Sequence, residues 1–340
     1  MVRRFGQVAA GFNPLRVNQT YDHQIPGKMK ISVIICSHNP REDFLRRTLA
    51  GLRAQTLPPE QWELLLIDNA SNQPLAGRFD ISWQPNSRQL LESKRGKLNA
   101  WLMGMREARA GTFLFVDDDN VLTIDYLEQA LALGDQCPFI GAWGGGLKPE
   151  YEIPLPDWVG EEVWRLTVLD VKEEVWSNLR EGYATVPCGA GLCVRRTVAQ
   201  KYLERCRENP ISIKLDRDGQ GLGGYGDIDL AYCALDLGLG TCRTPRLWVT
   251  HLIPAGRLTL DYFVRHAESD AASMMLFRAS RRLPIQKPKP LSSLGKLRLF
   301  LHRVKQRVPR ERYQIQKAYQ RGLEKGYEMA AEYLDTLNQN

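Results

Sequence analysis

Three aspartates in a row, Asp117-Asp118-Asp119, follow directly on the apolar run Thr112-Phe-Leu-Phe-Val116. Carboxylates two residues apart at the end of an extended segment point to the same side. Hard divalent cations take such oxygen ligands and fill the rest of their shell with water and phosphate. Asp117 and Asp119 can therefore hold Mn2+ or Mg2+ against a diphosphate while one carboxylate reaches a ribose hydroxyl. The plainer reading is a solvated acidic turn before a helix. It leaves concentrated negative charge uncompensated, so the metal–diphosphate reading is preferred.

Other polar groups stand at similar places. Ser37-His38-Asn39 follows the β-branched run Lys30–Cys36, and Asp68-Asn69 follows Trp62–Ile67. Asp68 could accept from a nucleobase N–H, or simply shape an Asx turn. Asp227, after Gly223-Gly-Tyr-Gly226, could take a proton from an incoming hydroxyl or cap the helix that begins there. His251, by itself, reads as a strand-end histidine. In Ser93-Lys-Arg-Gly-Lys97, either Arg95 or Lys97 could reach a phosphate, and a solvated helix start is the alternative. No glycine-rich phosphate loop follows the first strand, and histidines and cysteines never cluster at zinc-ligand spacing.

These groups need elements to hold them. Lys30–Cys36 and Trp62–Ile67 read as strands buried on both faces. Between them Asn39 is expected to cap a helix, with Pro40 at its first position and Leu45, Leu49 and Leu52 on one face. Ile81–Trp83 reads as a short strand. Leu98, Trp101, Leu102, Met105 and Ala108 recur at helical spacing, with Gly111 closing that helix. Thr123 is expected to cap a helix through Leu133. Residues 147–185 are rich in Trp, Pro and acids and read as loops. Strand texture returns at Gly189–Arg196, followed by a helix to about Arg207. A helix with Leu230, Cys233, Ala234 and Leu237 on one face ends at Gly238. This β-α-β alternation predicts parallel strands. Ligands then bind beyond the strands' carboxyl ends, so the three polar clusters should share one rim.

With 340 residues, 43% hydrophobic and 25% charged, the chain can bury a substantial core. No apolar stretch approaches the roughly 18–20 residues that span a bilayer, and no apolar segment follows the basic start Met1-Val-Arg-Arg. A cytoplasmic protein is expected. The seven cysteines include no C-x-x-C pair, which suits buried reduced thiols. The net charge of +7 comes largely from residues after Arg281. There Leu294, Leu297, Leu301, Val304 and Val308 form an apolar stripe flanked by Lys and Arg. A polyanionic partner, membrane or nucleic acid, would suit that tail; equally, the stripe could pack back on the core.

In sequence order the motifs resemble those of the family 2 glycosyltransferases, which have the GT-A fold. Ser32–Asn39 resembles the opening strand and nucleotide loop, Leu66–Ser71 the base-contacting segment, and Phe115–Asp119 the D-x-D element. Gly226-Asp-Ile-Asp-Leu230 resembles the acidic motif with the catalytic base, and His251–Thr259 the His segment of many bacterial members. Together they span about residues 30 to 270.

The resemblance implies a Rossmann-like, mostly parallel α/β sheet flanked by helices, with a basic helical tail. It divides the chain into an extension (1–29), a donor half (30–145), an acceptor half (146–283), and a linker with a basic amphipathic tail (284–340). By position, Ser37 and Asp68 would contact the base, Asp117 the ribose, and Asp119 the metal, with His251 a further ligand. Asp227 would be the base. His38, Asn39, Lys97 and Asp118 join the nucleotide side, Asp118 pointing away from its neighbours. Gly189 and Gly191 would let the backbone approach the donor sugar, and Ala190, Asp229 and Trp143 complete the sugar and acceptor surroundings. One departure stands out: the motif often reads Glu-Asp, but Gly226 replaces the first acid.

The expected activity is inverting transfer from a nucleotide-diphospho-sugar, a UDP-sugar by preference. The acceptor is a hydroxyl of a glycan or a lipid-linked substrate, and Mn2+ or Mg2+ assists. The tail would contact an anionic membrane at its inner face; no nucleic-acid partner is expected. Two rivals remain: a sugar-nucleotide nucleotidyltransferase, though Ser37–Pro40 is no glycine-rich phosphate loop, and an inactive nucleotide-sugar-binding protein recruited to a polyanionic surface.

Overall fold

The computed structural model describes residues 3–4, 29–180, 183–215, 223–288 and 309–339. They form two compact units that interleave along the chain. One comprises Met1–Glu150, Thr167–Ile213 and Gly226–Leu252, the other Tyr151–Leu166, Lys214–Tyr225 and Ile253–Asn340.

The first unit is built on one sheet. Its strands are β1 (Arg3–Arg4), β2 (Ile31–Ser37), β3 (Trp62–Asp68), β4 (Ser87–Leu91), β5 (Thr112–Val116), β6 (Asn120–Leu122), β7 (Ile140–Tyr151), β8 (Val175–Ser177), β9 (Leu192–Arg195) and β10 (Gly240–Ile253). They run in the order β1-β8-β10-β7-β9-β5-β2-β3-β4, and β6 pairs with β10. The helices are α1 (Glu42–Arg53), α2 (Lys97–Glu107), α3 (Tyr126–Gln136), α4 (Arg196–Glu208) and α5 (Gly226–Asp236). β3 is buried along its whole length and β2 almost so, as their unbroken apolar runs require.

The parallel pairing expected for the sheet is confined to β5-β2-β3-β4. β9 lies antiparallel to both β5 and β7, and β10 antiparallel to β8 and β6. A parallel neighbour needs a crossover, usually a helix. β9 follows a stretch with no α-helix among the described residues and is free to run the other way.

Local expectations shift in instructive places. α1 starts at Glu42, not after Asn39, because Asn39 adopts φ +50° and its side chain is used elsewhere. Residues 81–86 form turns, and the strand follows at β4, whose partly exposed Ser-Arg-Gln-Leu-Leu sequence lacks an apolar signal. α2 ends at Glu107, ahead of Gly111. After the aspartates comes β6, which delays α3 to Tyr126; Thr123 does not cap it. All seven cysteines are free thiols.

The second unit centres on two helices, α6 (Leu260–Ser280) and α7 (Arg310–Gln339). The Thr259 side chain caps α6 by accepting from the Tyr262 N–H. α7 buries Ile315, Ala318 and Ala330 and packs along α6. Its Gly322 and Gly326, one turn apart, allow the close approach. A Cβ on Gly322 would overlap the Glu268 carbonyl oxygen, and one on Gly326 would lie 2.6 Å from the Ala272 Cα. The apolar stripe from Leu294 to Val308 lies outside the described residues. Among those described, no helix is long and apolar enough to cross a membrane.

At a free helix surface, Gly→Ala stabilises by up to about 1 kcal/mol. At Gly322 the sign should reverse: G322A is expected to destabilise by about 1–3 kcal/mol through overpacking. Hydrogen exchange should show protection lost from α6 and α7.

Candidate active site

β2, β3 and β5 end at one rim because their register is in step. Ser37 lies opposite Asp68 and Val116 opposite Ile35, so the chain leaves β5 beside the end of β2. Each carboxylate of the triplet then finds its own partner. Asp117 Oδ1 lies 2.7 Å from Nζ of Lys97, the first residue of α2. Asp118 does not point away from the rim: it accepts a 2.5 Å hydrogen bond from the buried Ser37 hydroxyl. Asp119 Oδ1 accepts from Asn120 Nδ2 at 2.9 Å. Its Oδ2 lies 3.5 Å from His251 Nε2. The β6–β10 ladder fixes this last pair, since it sets His251 opposite Asn120 and lets the Leu252 N–H donate to the Asp119 carbonyl.

Beside the triplet, buried Asn69 organises the nucleotide-loop side. Its Nδ2 donates to the Lys94 carbonyl at 2.8 Å and its Oδ1 accepts from the Gly96 N–H at 2.9 Å. The 94–96 turn, and with it the start of α2, is thereby tied to the end of β3. His38 Nδ1 lies 2.8 Å from the Asn69 carbonyl, while Nε2 receives Asn39 Nδ2 and Arg95 Nη2, each at 3.0 Å. Amide and guanidinium nitrogens are donors, which makes Nε2 the acceptor and Nδ1 the N–H. Asn39 Oδ1 accepts from the Asn72 N–H. Asp68 shapes its turn: its two oxygens accept from the Ser71 and Leu75 N–H groups at 2.9 and 3.0 Å.

Asp227 sits in the first turn of α5. Its Oδ2 accepts from the Gly189 N–H at 2.7 Å and its Oδ1 from the Ile228 N–H at 2.8 Å. Those bonds fix the carboxylate against the 188–191 turn. Its charge reaches the Cys188 thiol, which burial pushes up to about 11, and the Arg243 guanidinium, which burial pulls down. Gly191, at φ +77°, occupies a conformation and a space that a side chain would contest: a Cβ would lie 2.5 Å from the Tyr126 hydroxyl. That hydroxyl donates to the Gly191 carbonyl at 2.7 Å. Ala190 is buried beside it.

Two expected sugar or acceptor contacts are placed elsewhere. Asp229 is fully buried and accepts Arg205 Nε at 3.1 Å on both oxygens, so it joins α5 to α4. Trp143 is fully buried and donates its Nε1–H to the Ala130 carbonyl, so it fills the core under α3. Asn69, Asn120 and Tyr126 were not singled out from the sequence as site residues. The asparagines stand directly after Asp68 and Asp119, the one local signal available.

The donor set bears on a cation. Among the described residues, no three His, Cys, Asp or Glu side chains converge on one point. Asp119 and His251 offer one oxygen and one nitrogen 3.5 Å apart, and Asp117 is engaged by Lys97. Two ligands are too few for a dedicated cage. They fit a hard cation that draws the rest of its shell from phosphate and water.

The mixed sheet with its flanking helices is in keeping with a GT-A fold. The family model for glycosyl transferase family 2 matches residues 32–203. The chain belongs to glycosyl transferase family 2. No characterised protein's sequence matches it significantly. Similar solved structures include residues 1–349 of S. aureus TarS, alone and with UDP. Both are 15% identical, cover 89% of this chain and 92% of that one, and have TM-scores of 0.43 and 0.45. GalNAc-T7 with UDP, GalNAc and Mn2+ is 17% identical, covering 85% of this chain and 56% of that one at a TM-score of 0.45.

Asn69→Ala should release the 94–96 turn, losing the bonds to the Lys94 carbonyl and from the half-buried Gly96 N–H. The expected cost is about 1–3 kcal/mol, read as a lower Tm and as faster amide exchange confined to residues 92–99.

Proposed function

We propose that the chain transfers a sugar with inversion from a nucleotide-diphospho-sugar, a UDP-sugar by preference. The acceptor is a hydroxyl of a glycan or of a lipid-linked substrate. One observation carries this reading: four separate elements converge on Asp117, Asp118 and Asp119 at the rim that also holds Ser37. On this reading residues 30–145 serve the donor and 146–283 the acceptor. Ser37, His38, Asn39 and Asp68 would face the base, and Asp117 the ribose.

In the proposed step Asp227 takes the proton of the acceptor hydroxyl. The oxygen attacks the anomeric carbon from the face opposite the nucleotide, the bond from that carbon to the diphosphate breaks, and nucleoside diphosphate leaves. Two backbone N–H groups, of Gly189 and Ile228, hold the Asp227 carboxylate in place for that role. Asp119 and His251 would hold Mn2+ or Mg2+. What the bound cation supplies is compensation for the charge that builds on the leaving diphosphate. Lys97, which pairs with Asp117, would reach a phosphate of the donor.

Asp227→Asn should lower transfer about 10²–10⁴-fold, the span of general-base catalysis, while UDP-sugar still binds by calorimetry. Full transfer in that variant would remove Asp227 from the role. Asp119→Ala should lose both transfer and the dependence of UDP binding on Mn2+. Chelation of the wild type by EDTA should reproduce that loss, and added Mn2+ should reverse it.

A further inference from the structure

Two tryptophans of the 147–185 region are accounted for by packing. Trp176 is buried, its ring 4.8 Å from Phe139, and Trp158 sets edge-on against Phe263 at 5.1 Å. Trp164 is different. It is 50% exposed, while the next two residues, Arg165 and Leu166, are 6% and 1% exposed. A large exposed apolar side chain beside a buried arginine inverts the usual order.

That exposed ring is held firmly. The Arg165 guanidinium stacks 4.2 Å from its centroid, a cation–π contact that covers one face. Arg165 is itself fixed by Glu162 at 2.7 Å and Asp270 of α6 at 3.9 Å, and it lies 5.7 Å from the ring of Tyr319 in α7. Upstream, Gly160 has φ +44°, and the Arg312 guanidinium of α7 fills the place of its missing side chain. Arg312 Nε donates to the Trp158 carbonyl at 3.2 Å. Arg312 and Tyr319, two turns apart on one face of α7, therefore brace the segment at both ends.

A flat aromatic face held in place in water suits a ligand with an apolar face and a polar rim. The ring's negative quadrupole attracts polarised C–H groups, and a pyranose presents these on one side and hydroxyls around its edge. The surroundings narrow the choice further. Residues 151–166 carry Glu152, Asp157, Glu161 and Glu162 against Arg165 and the neighbouring Arg312 of α7. That excess of negative charge repels anionic polymers and anionic lipid, while Asp157 and Glu161, both exposed, can accept from hydroxyls.

We propose that Trp164, stacked on Arg165 and braced by α7, is the binding platform for a neutral glycan. Glycan binding is measured without donor and stands apart from the transferase reading. The full chain would be titrated with cellohexaose, maltohexaose and chitohexaose, followed by tryptophan fluorescence and saturation-transfer NMR. At least one should saturate, with about tenfold weaker binding in Trp164→Ala, equivalent to about 1.4 kcal/mol. Trp164→Phe keeps the stack on Arg165 with a smaller face and should fall between. If the alanine variant melts early, the phenylalanine variant carries the test. The proposal is overturned if none of the three binds, if the variants bind as the wild type does, or if a heparin hexasaccharide or phosphatidylserine vesicles bind more tightly. UDP-sugar binding to the wild type, measured separately, decides the transferase reading: its absence would sink that reading and leave the glycan titration standing.

Discussion

Three consecutive carboxylates at the end of a buried strand have to be compensated, and much of the first unit is arranged to do it. Like charges repel, the more so where water is partly excluded, and a domain is held together by only about 5–15 kcal/mol. Among the described residues each is met by a different neighbour. Lys97 serves Asp117 from the start of α2, Ser37 serves Asp118 from the end of β2, and Asn120 and His251 serve Asp119 from β6 and β10. Each partner fixes where its element must stand. The reversal of strand direction beyond β5 has a purpose in these terms: with β10 antiparallel to β6, His251 falls opposite Asn120.

The sequence made one half of this arrangement legible. β2, β3 and β5 are buried on both faces and announce themselves as apolar runs, so the polar residues after them could be assigned to one rim. β4 and β6 do not announce themselves. One is a partly exposed edge strand and the other is three residues long. The antiparallel half was hidden for another reason: strand direction depends on what connects the strands, and loops of the 147–185 kind carry little pattern. Long-range polar partners are hidden too. Nothing local in Asn69 says that its amide closes a turn 27 residues away.

Asp229 shows an inference that was available but not drawn. Asp227 and Asp229 look equivalent in Gly226-Asp-Ile-Asp-Leu230. On a helix, residues two apart are turned by about 200°, so both cannot face the same ligand. Asp227 meets the Gly189 N–H, whereas Asp229 turns inward to Arg205. Trp143 fell to the opposite error. The resemblance set it beside the sugar and acceptor, yet it lies in the core, and the three glycines after it let strands and rings pack closely, as at Gly146 against the Trp248 ring. The C-terminal basic region divides in a similar way. The side of α7 that carries Ile315, Ala318, Gly322 and Gly326 is used against α6, and a face so used is not available to lie on lipid.

The sparse donor set beside the triplet has a thermodynamic consequence on the transferase reading. With only Asp119 and His251 adjacent among the described residues, a cation must complete its shell with the oxygens of the diphosphate. Binding of cation and of diphosphate is then coupled, and such coupling is reciprocal: the factor by which one tightens the other is the same in both directions. Lys97 pairs with Asp117 and Ser37 donates to Asp118, so the carboxylates are held in place by this chain's own side chains. On the transferase reading, a site so held yet short of ligands for a cation alone would favour uptake of the cation and the sugar nucleotide together. It would also favour their loss together, because the nucleoside diphosphate that leaves still carries the oxygens on which the cation would depend.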